Sequence, residues 1–176
     1  VDAFDELVHN NMKDTDHRPE DIDKVSGEAL RNHAAIVGPG ENYIEVKKGA
    51  CFNCPVICKR VSKIRDTRGR MVDHGEGPEF ETVALLGPNL SIYDLVAITE
   101  ANYWANRYGL DTISLGATIA SFFELFSLIH DKEGARTQAK EDFERDVQGF
   151  VEAYGEPRFG RKEILVPLVH AIGRSE

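Results

Sequence analysis

The run Cys51-Phe-Asn-Cys54-Pro-Val-Ile-Cys58 holds all three cysteines of the chain, and their crowding decides what can hold such a fold together. Cysteines this close cannot staple distant segments as a disulfide framework would, so the chain must fold on apolar burial. Its 176 residues suffice for one ordinary domain or two small helical lobes with a real core. The gaps of two and three residues let successive thiolates converge on one small object, with the turn around Pro55 bringing the sulfurs to the same side. That spacing suits a metal centre. A cubane iron–sulfur cluster takes four thiolates and this run supplies three, so the fourth ligand must come from elsewhere. Structural zinc held by three cysteines and a histidine is the rival, with His74 or His33 as the nitrogen donor. Free thiols of this kind fit a reducing compartment, the cytoplasm.

Charge narrows the partners. Acidic side chains number 30 against 21 basic ones, and the formal charge of -9 repels phosphate backbones and anionic lipid. Nucleic acid is therefore not an expected partner. The apolar stretch from Thr112 to Ile129 raises the question of a membrane, but Glu124, Ser114, Ser121 and Ser127 interrupt it, so it is expected to be a buried helix rather than a span. Val1 in place of a methionine and the tail-less finish at Glu176 read as cut ends, so an internal fragment is expected.

Helical signals dominate. Val1 to Asn11 suits a short amphipathic helix. Ser26 can cap a helix through Ala29, Leu30 and Ala34 that Gly38-Pro39-Gly40 must end. Tyr43 to Val46 suits a short strand, and Pro55 can open a helical turn carrying Val56, Ile57 and Cys58. The charged, glycine-rich stretch from Arg65 to Gly77 reads as a hairpin or loop. Pro78 can begin a helix through Phe80, Val83, Ala84 and Leu85, broken at Gly87-Pro88-Asn89. The clearest helix follows, capped by Ser91 or Asn89, with Leu95, Ile98, Ala101, Asn102, Ala105 and Tyr108 at three- and four-residue steps. Gly109 ends it, and Asp111 can cap the next. Asp131 to Arg145 is expected as surface helix or loop, and a last amphipathic segment carries Ile164, Leu165, Leu168, Val169 and Ile172. His9, His17 and His33 sit in polar surroundings and are expected at the surface. The fold class expected is all-α and multihelical, with at most a short β-hairpin near the cysteine cluster.

Reading on from the cysteines one meets Gly77-Pro-Glu79-Phe-Glu81-Thr-Val, then Glu100-Ala-Asn102-Tyr103 and Asn106-Arg-Tyr-Gly109-Leu110-Asp111-Thr112. This ordered set resembles the aldehyde:ferredoxin oxidoreductase family, most densely from about Ala50 to Ser121. The resemblance implies an internal fragment of an oxidoreductase. Such an enzyme oxidises aldehydes to carboxylic acids at a tungsten- or molybdenum-bis-pterin centre and passes electrons through a 4Fe-4S cluster to ferredoxin or a similar carrier. It implies Cys51, Cys54 and Cys58 as three cluster ligands, with the fourth outside this stretch. Glu81, ahead of Glu79, takes the place of a catalytic glutamate near the metal, while Asn106, Gly109, Leu110 and Asp111 fall on a pterin-contacting pattern. Asn106 departs from the family's aspartate, turning a charge-assisted contact into a neutral one. Glu100 aligns with a glutamate that in some members binds iron with a histidine on a subunit two-fold axis, which allows a homodimer; its place on a polar helix face suits plain solvation. His130 and His170 are the histidines at hand. The expected organisation is a helical domain over residues 1–130 carrying the cysteines and the pterin-contacting segment. A charged connector and terminal helix, 131–176, belongs to the same domain or begins the next lobe. The fragment alone is expected to be inactive. The alternative is a zinc-stabilised or iron–sulfur helical module without its own catalysis.

Overall fold

The computed structural model describes residues 9–14, 18–37, 40–130 and 137–175. Three short helices come first, α1 (Pro19–Lys24), α2 (Gly27–Arg31) and α3 (His33–Val37). Strands β1 (Tyr43–Gly49), β2 (Lys59–Arg65) and β3 (Met71–Glu76) follow, then helices α4 (Phe80–Leu86), α5 (Leu95–Tyr108), α6 (Thr112–His130), α7 (Gln138–Tyr154) and α8 (Leu165–Arg174). Ser26 caps α2 as its sequence suggests, its hydroxyl accepting from the Ala29 N–H at 3.0 Å. The helix expected to run on through Ala34 is instead interrupted at Asn32. The helix expected over Val1–Asn11 and the stop at Gly38-Pro39 lie wholly or largely outside the described residues.

An all-α fold is not what forms. β1, β2 and β3 make an antiparallel sheet in that order, longer than a short hairpin. Ile44 and Ile64 face each other across the first ladder, each 1% exposed, and Ser62 is buried beside them. Their neighbours along the strands are mostly charged, so the sheet buries one thin face. The period-two pattern that marks a strand is correspondingly faint. The stretch expected as a hairpin or loop supplies the β2–β3 turn and all of β3. There the Asp66 carboxylate accepts N–H bonds from Arg68 and Arg70, both at 2.9 Å, and Gly69 adopts a φ of 75°, which favours glycine.

The core lies under α5. Leu95, Ile98, Ala101 and Ala105 are buried along it, in one cluster with Leu115, Ile119 and Phe123 of α6 and Leu165, Leu168 and Val169 of α8. Asp94 caps α5, accepting from the Ala97 N–H at 3.0 Å; Asn89 and Ser91, the expected caps, lie in and just after a 3-10 turn over Pro88–Leu90. Helix α6 is long and apolar enough to cross a membrane by length and composition; here Leu115, Ile119, Phe123 and Phe126 on it are buried within the fold. Phe143 and Phe150 of α7 lie against Phe122 of that helix.

At Gly116 the backbone of α6 comes close against the end of α4. A β-carbon added at Gly116 would stand 2.6 Å from the backbone oxygen of Leu85. Gly116→Ala is therefore expected to destabilise the intact protein by about 1–3 kcal/mol, despite alanine's better helix propensity. Thermal unfolding checks this, and an unchanged or raised midpoint contradicts it.

Candidate functional site

The loop between β1 and β2 carries the cysteines. All three are free thiols, with Cys51 and Cys58 exposed and Cys54 partly covered. The Cys54 N–H donates to the Cys51 carbonyl at 3.1 Å, closing a tight turn, and Asn53 and Ile57 both sit in the left-handed region with φ of 59° and 54°. The helical turn expected after Pro55 does not form, because the left-handed Ile57 breaks it. Phe52, Val56 and Ile57 of the same loop point apolar side chains into solvent.

Three thiols on one short turn are the soft donor set that an iron–sulfur cluster or zinc takes. In that respect the residues present suit three of four ligand positions. Among the described residues, no three histidine, cysteine, aspartate or glutamate side chains are grouped to hold a metal ion. The zinc reading meets a specific obstacle at His33. That histidine is buried rather than at the surface, 8% exposed, and its Nδ1 accepts the Ile44 N–H at 3.3 Å. Burial lowers its pKa.

Beside the start of β2, β3 runs through Gly77 and Pro78 into α4. Here a cleft of about 290 Å³ is lined by Glu76, Glu79, Glu81, Asn102, Asn106 and Asp111, with Thr82 and Thr112 among its other walls. Glu81, Asn106 and Asp111, singled out from sequence, thus come together. Gly109 and Leu110 are absent from the lining. Gly109 ends α5 at a φ of 70°, and the Leu110 N–H returns to the Ala105 carbonyl at 2.9 Å, so these two residues shape the turn.

The carboxylates of the cleft differ in their ties. Glu79 is held by Arg60 at 3.2 Å. Glu81, in the first turn of α4, has no ion pair among the described residues and is exposed. Asp111 caps α6, accepting from the Ser114 N–H at 2.7 Å, and that backbone bond holds its carboxyl below the usual carboxylate range. Its second oxygen remains an acceptor, which suits the ring N–H and amino groups of a pterin, as does the Asn106 amide. The Thr82 and Thr112 hydroxyls, 2.8 Å apart, join the starts of α4 and α6 at the wall of the cleft. Asn102, which sequence reasoning placed on a helix face and within the family-like Glu100–Tyr103 stretch but gave no role, donates from Nδ2 to the Glu76 carbonyl at 2.8 Å. Its four-residue step to Asn106 was the available signal.

Glu100 lies elsewhere, half-buried at a larger cavity of about 960 Å³ with His33, Tyr93, Asp94 and Lys162. Burial pushes its carboxyl up and Asp73 pushes it further, so it is not the plainly solvated residue expected. His170 packs at 4.3 Å on Trp104, its Nδ1 2.8 Å from the Tyr108 hydroxyl, and His130 stacks at 4.3 Å on Phe126; neither is grouped with Glu100 into a metal-holding set.

Thiols on one exposed loop and carboxylates with amides around one cleft are the donor types of a metal- and cofactor-binding protein. The whole chain, residues 1–176, matches the family described as aldehyde ferredoxin oxidoreductase, domains 2 & 3, and it belongs to that family. It is 38% identical over 133 residues, 74% of its length, to the tungsten-containing aldehyde ferredoxin oxidoreductase of Pyrococcus horikoshii. The protein of the same name from Pyrococcus furiosus is 43% identical over 88 residues, 50% of this chain and 14% of the relative. A longer and weaker likeness, 29% over 164 residues, links it to the aliphatic sulfonate oxidoreductase, WOR-like subunit, of Pyrococcus furiosus, covering 92% of this chain and 23% of that one. The chain spans 19% of the length of the Pyrococcus horikoshii enzyme.

Proposed function

We propose that the intact protein oxidises an aldehyde with water to a carboxylic acid, releasing two protons and two electrons per turnover. The electrons leave through a 4Fe-4S cluster held in part by Cys51, Cys54 and Cys58, toward ferredoxin or a similar carrier. The observation that carries this reading is the gathering of Glu81, Asn106 and Asp111 around one cleft, in a chain of this family. A tungsten- or molybdenum-bis-pterin, bound mainly by other parts of the protein, supplies the two-electron redox chemistry.

The chain's own residues handle binding and protons. Asp111 and Asn106 present acceptors to the pterin edge, with Asp111 kept ionised by the Ser114 N–H. Glu81 orients a water and accepts its proton as the water attacks the aldehyde carbon, which is general-base work. Glu79, already held by Arg60, is less free for that role.

The test is anaerobic purification of the full-length protein, followed by metal analysis and assay of aldehyde-dependent reduction of ferredoxin. Iron with tungsten or molybdenum, and activity on an aldehyde, is the expected result. Stoichiometric zinc without a brown chromophore would instead establish a structural module. An aliphatic sulfonate belongs in the same assay because of the relative bearing that name. Turnover of the sulfonate alone would overturn the aldehyde assignment.

A further inference from the structure

We propose that Asn102 is a positioning residue for the carboxylate of Glu81, acting through the link that joins β3 to α4; the proposal rests on the role given to Glu81 above. Asn102 lies on α5, is 4% exposed, and donates its amide N–H to the Glu76 carbonyl at 2.8 Å. The link that begins there has little slack. The Gly77 N–H donates to the Arg60 carbonyl at 2.9 Å, and a β-carbon at Gly77 would stand 3.1 Å from both Arg60 Cβ and Ser62 Oγ. Gly77 and Pro78 are buried, so the link is pressed between β2 on one side and Asn102 on the other. Helix α4 starts at Phe80, and Glu81 is its second residue. A shift at Glu76 therefore carries directly into the placement of that carboxylate against Asp111 and Asn106 across the cleft.

Two other ties join α5 to the sheet. Tyr103 is 2.8 Å from Ser62 Oγ, which itself faces Gly77, and Arg107 grips Asp73 at 2.8 and 2.5 Å, before the link begins. The Arg107 grip is therefore the tie that mutation can separate from Asn102. Loss of the Asn102 donor leaves the backbone of the sheet and the Gly77 bond to Arg60 intact while removing the tie to α5 from the segment that aims Glu81.

The test uses the full-length enzyme and four variants. Asn102→Asp keeps the shape and, as the carboxylate, removes the donor, Asn102→Leu fills the same buried volume without a polar atom, and Arg107→Met is the comparator that loosens α5 away from the link. Glu81→Gln reports on the parent reading. Both Asn102 variants are expected to lower kcat per bound metal by about ten- to a hundredfold, the scale of a misplaced reacting group, with KM changed by less than about twofold. The pH profile of kcat should change shape with them, and hydrogen exchange over residues 76–82 should quicken. Arg107→Met is expected to keep the kcat per metal and the profile. Wild-type kcat per metal and an unchanged profile in both Asn102 variants, with Glu81→Gln impaired, would overturn the proposal alone. An unimpaired Glu81→Gln would remove the parent reading and the proposal with it. In the unaltered enzyme, exchange of the Gly77 amide as fast as that of an unbonded backbone N–H would also overturn it, even where a variant fails to fold.

Discussion

Replacing Glu81 with glutamine in the intact protein is expected to lower aldehyde turnover per bound metal by about two to four orders of magnitude, the usual contribution of a positioned general base. The amide keeps the shape of the carboxylate and cannot take a proton at neutral pH. Cleft volume, helix start and pterin contacts should therefore survive, and metal content and KM should stay near their starting values. The choice of Glu81 over Glu79 rests on geometry. Both line the cleft, but Arg60 holds Glu79 at 3.2 Å, while Glu81 is without an ion pair among the described residues. Glu79→Gln should accordingly have the smaller effect on kcat. Equal turnover in wild type and Glu81→Gln, at equal metal loading, would strip the residue of its catalytic role.

A second large effect is expected at Cys54. It is the least exposed of the three thiols, and its N–H closes the turn onto the Cys51 carbonyl at 3.1 Å. Cys54→Ala removes a ligand from the middle of the run, and a cluster left with two thiolates from this loop should be lost. Iron bound at this site should fall from about four per chain toward none, with the visible absorption bleached and ferredoxin reduction abolished. Iron analysis, absorption spectra and an electron-acceptor assay check this. Ferredoxin reduction persisting at the wild-type rate would mean that electrons do not pass through this loop.

The long helices were legible because each buries a stripe that recurs every three or four residues, as Leu95, Ile98, Ala101 and Ala105 do on α5. Caps were legible where a side chain stands directly before its helix, as at Ser26 and Asp111. Asp94 was missed because a 3-10 turn separates the conspicuous glycine–proline break from the true start of α5. The sheet was legible in part, at Tyr43 to Val46 and in the turn after Arg65, but β2 was missed since Ile44 and Ile64 are the sheet's only buried apolar side chains, set among charged neighbours. His33 looked solvated by its polar surroundings, yet its burial depends on the Ile44 N–H, a partner from another element that no local pattern encodes. In the cleft, family likeness pointed to Glu81, Asn106 and Asp111. Asn102 falls in the family-like Glu100–Tyr103 stretch without a role attached, because a buried asparagine and a solvated one read alike until the carbonyl it serves is in place.

Lys59 directly follows Cys58, and its ammonium is paired with the carboxylate of Glu76 on the wall of the cleft. The thiol loop and the acidic cleft thus sit at the same end of one ladder, whose rungs match Val61 to Glu76 and Lys63 to His74. A slip of a single rung would turn Ser62 and Ile64 outward and drive Val61 and Lys63 into the interior. Their juxtaposition is consequently graduated in whole pleats, like marks on a ruler, and a single inserted residue would have to be taken up in a bulge, as the ladder already does between Ile64 and Arg65.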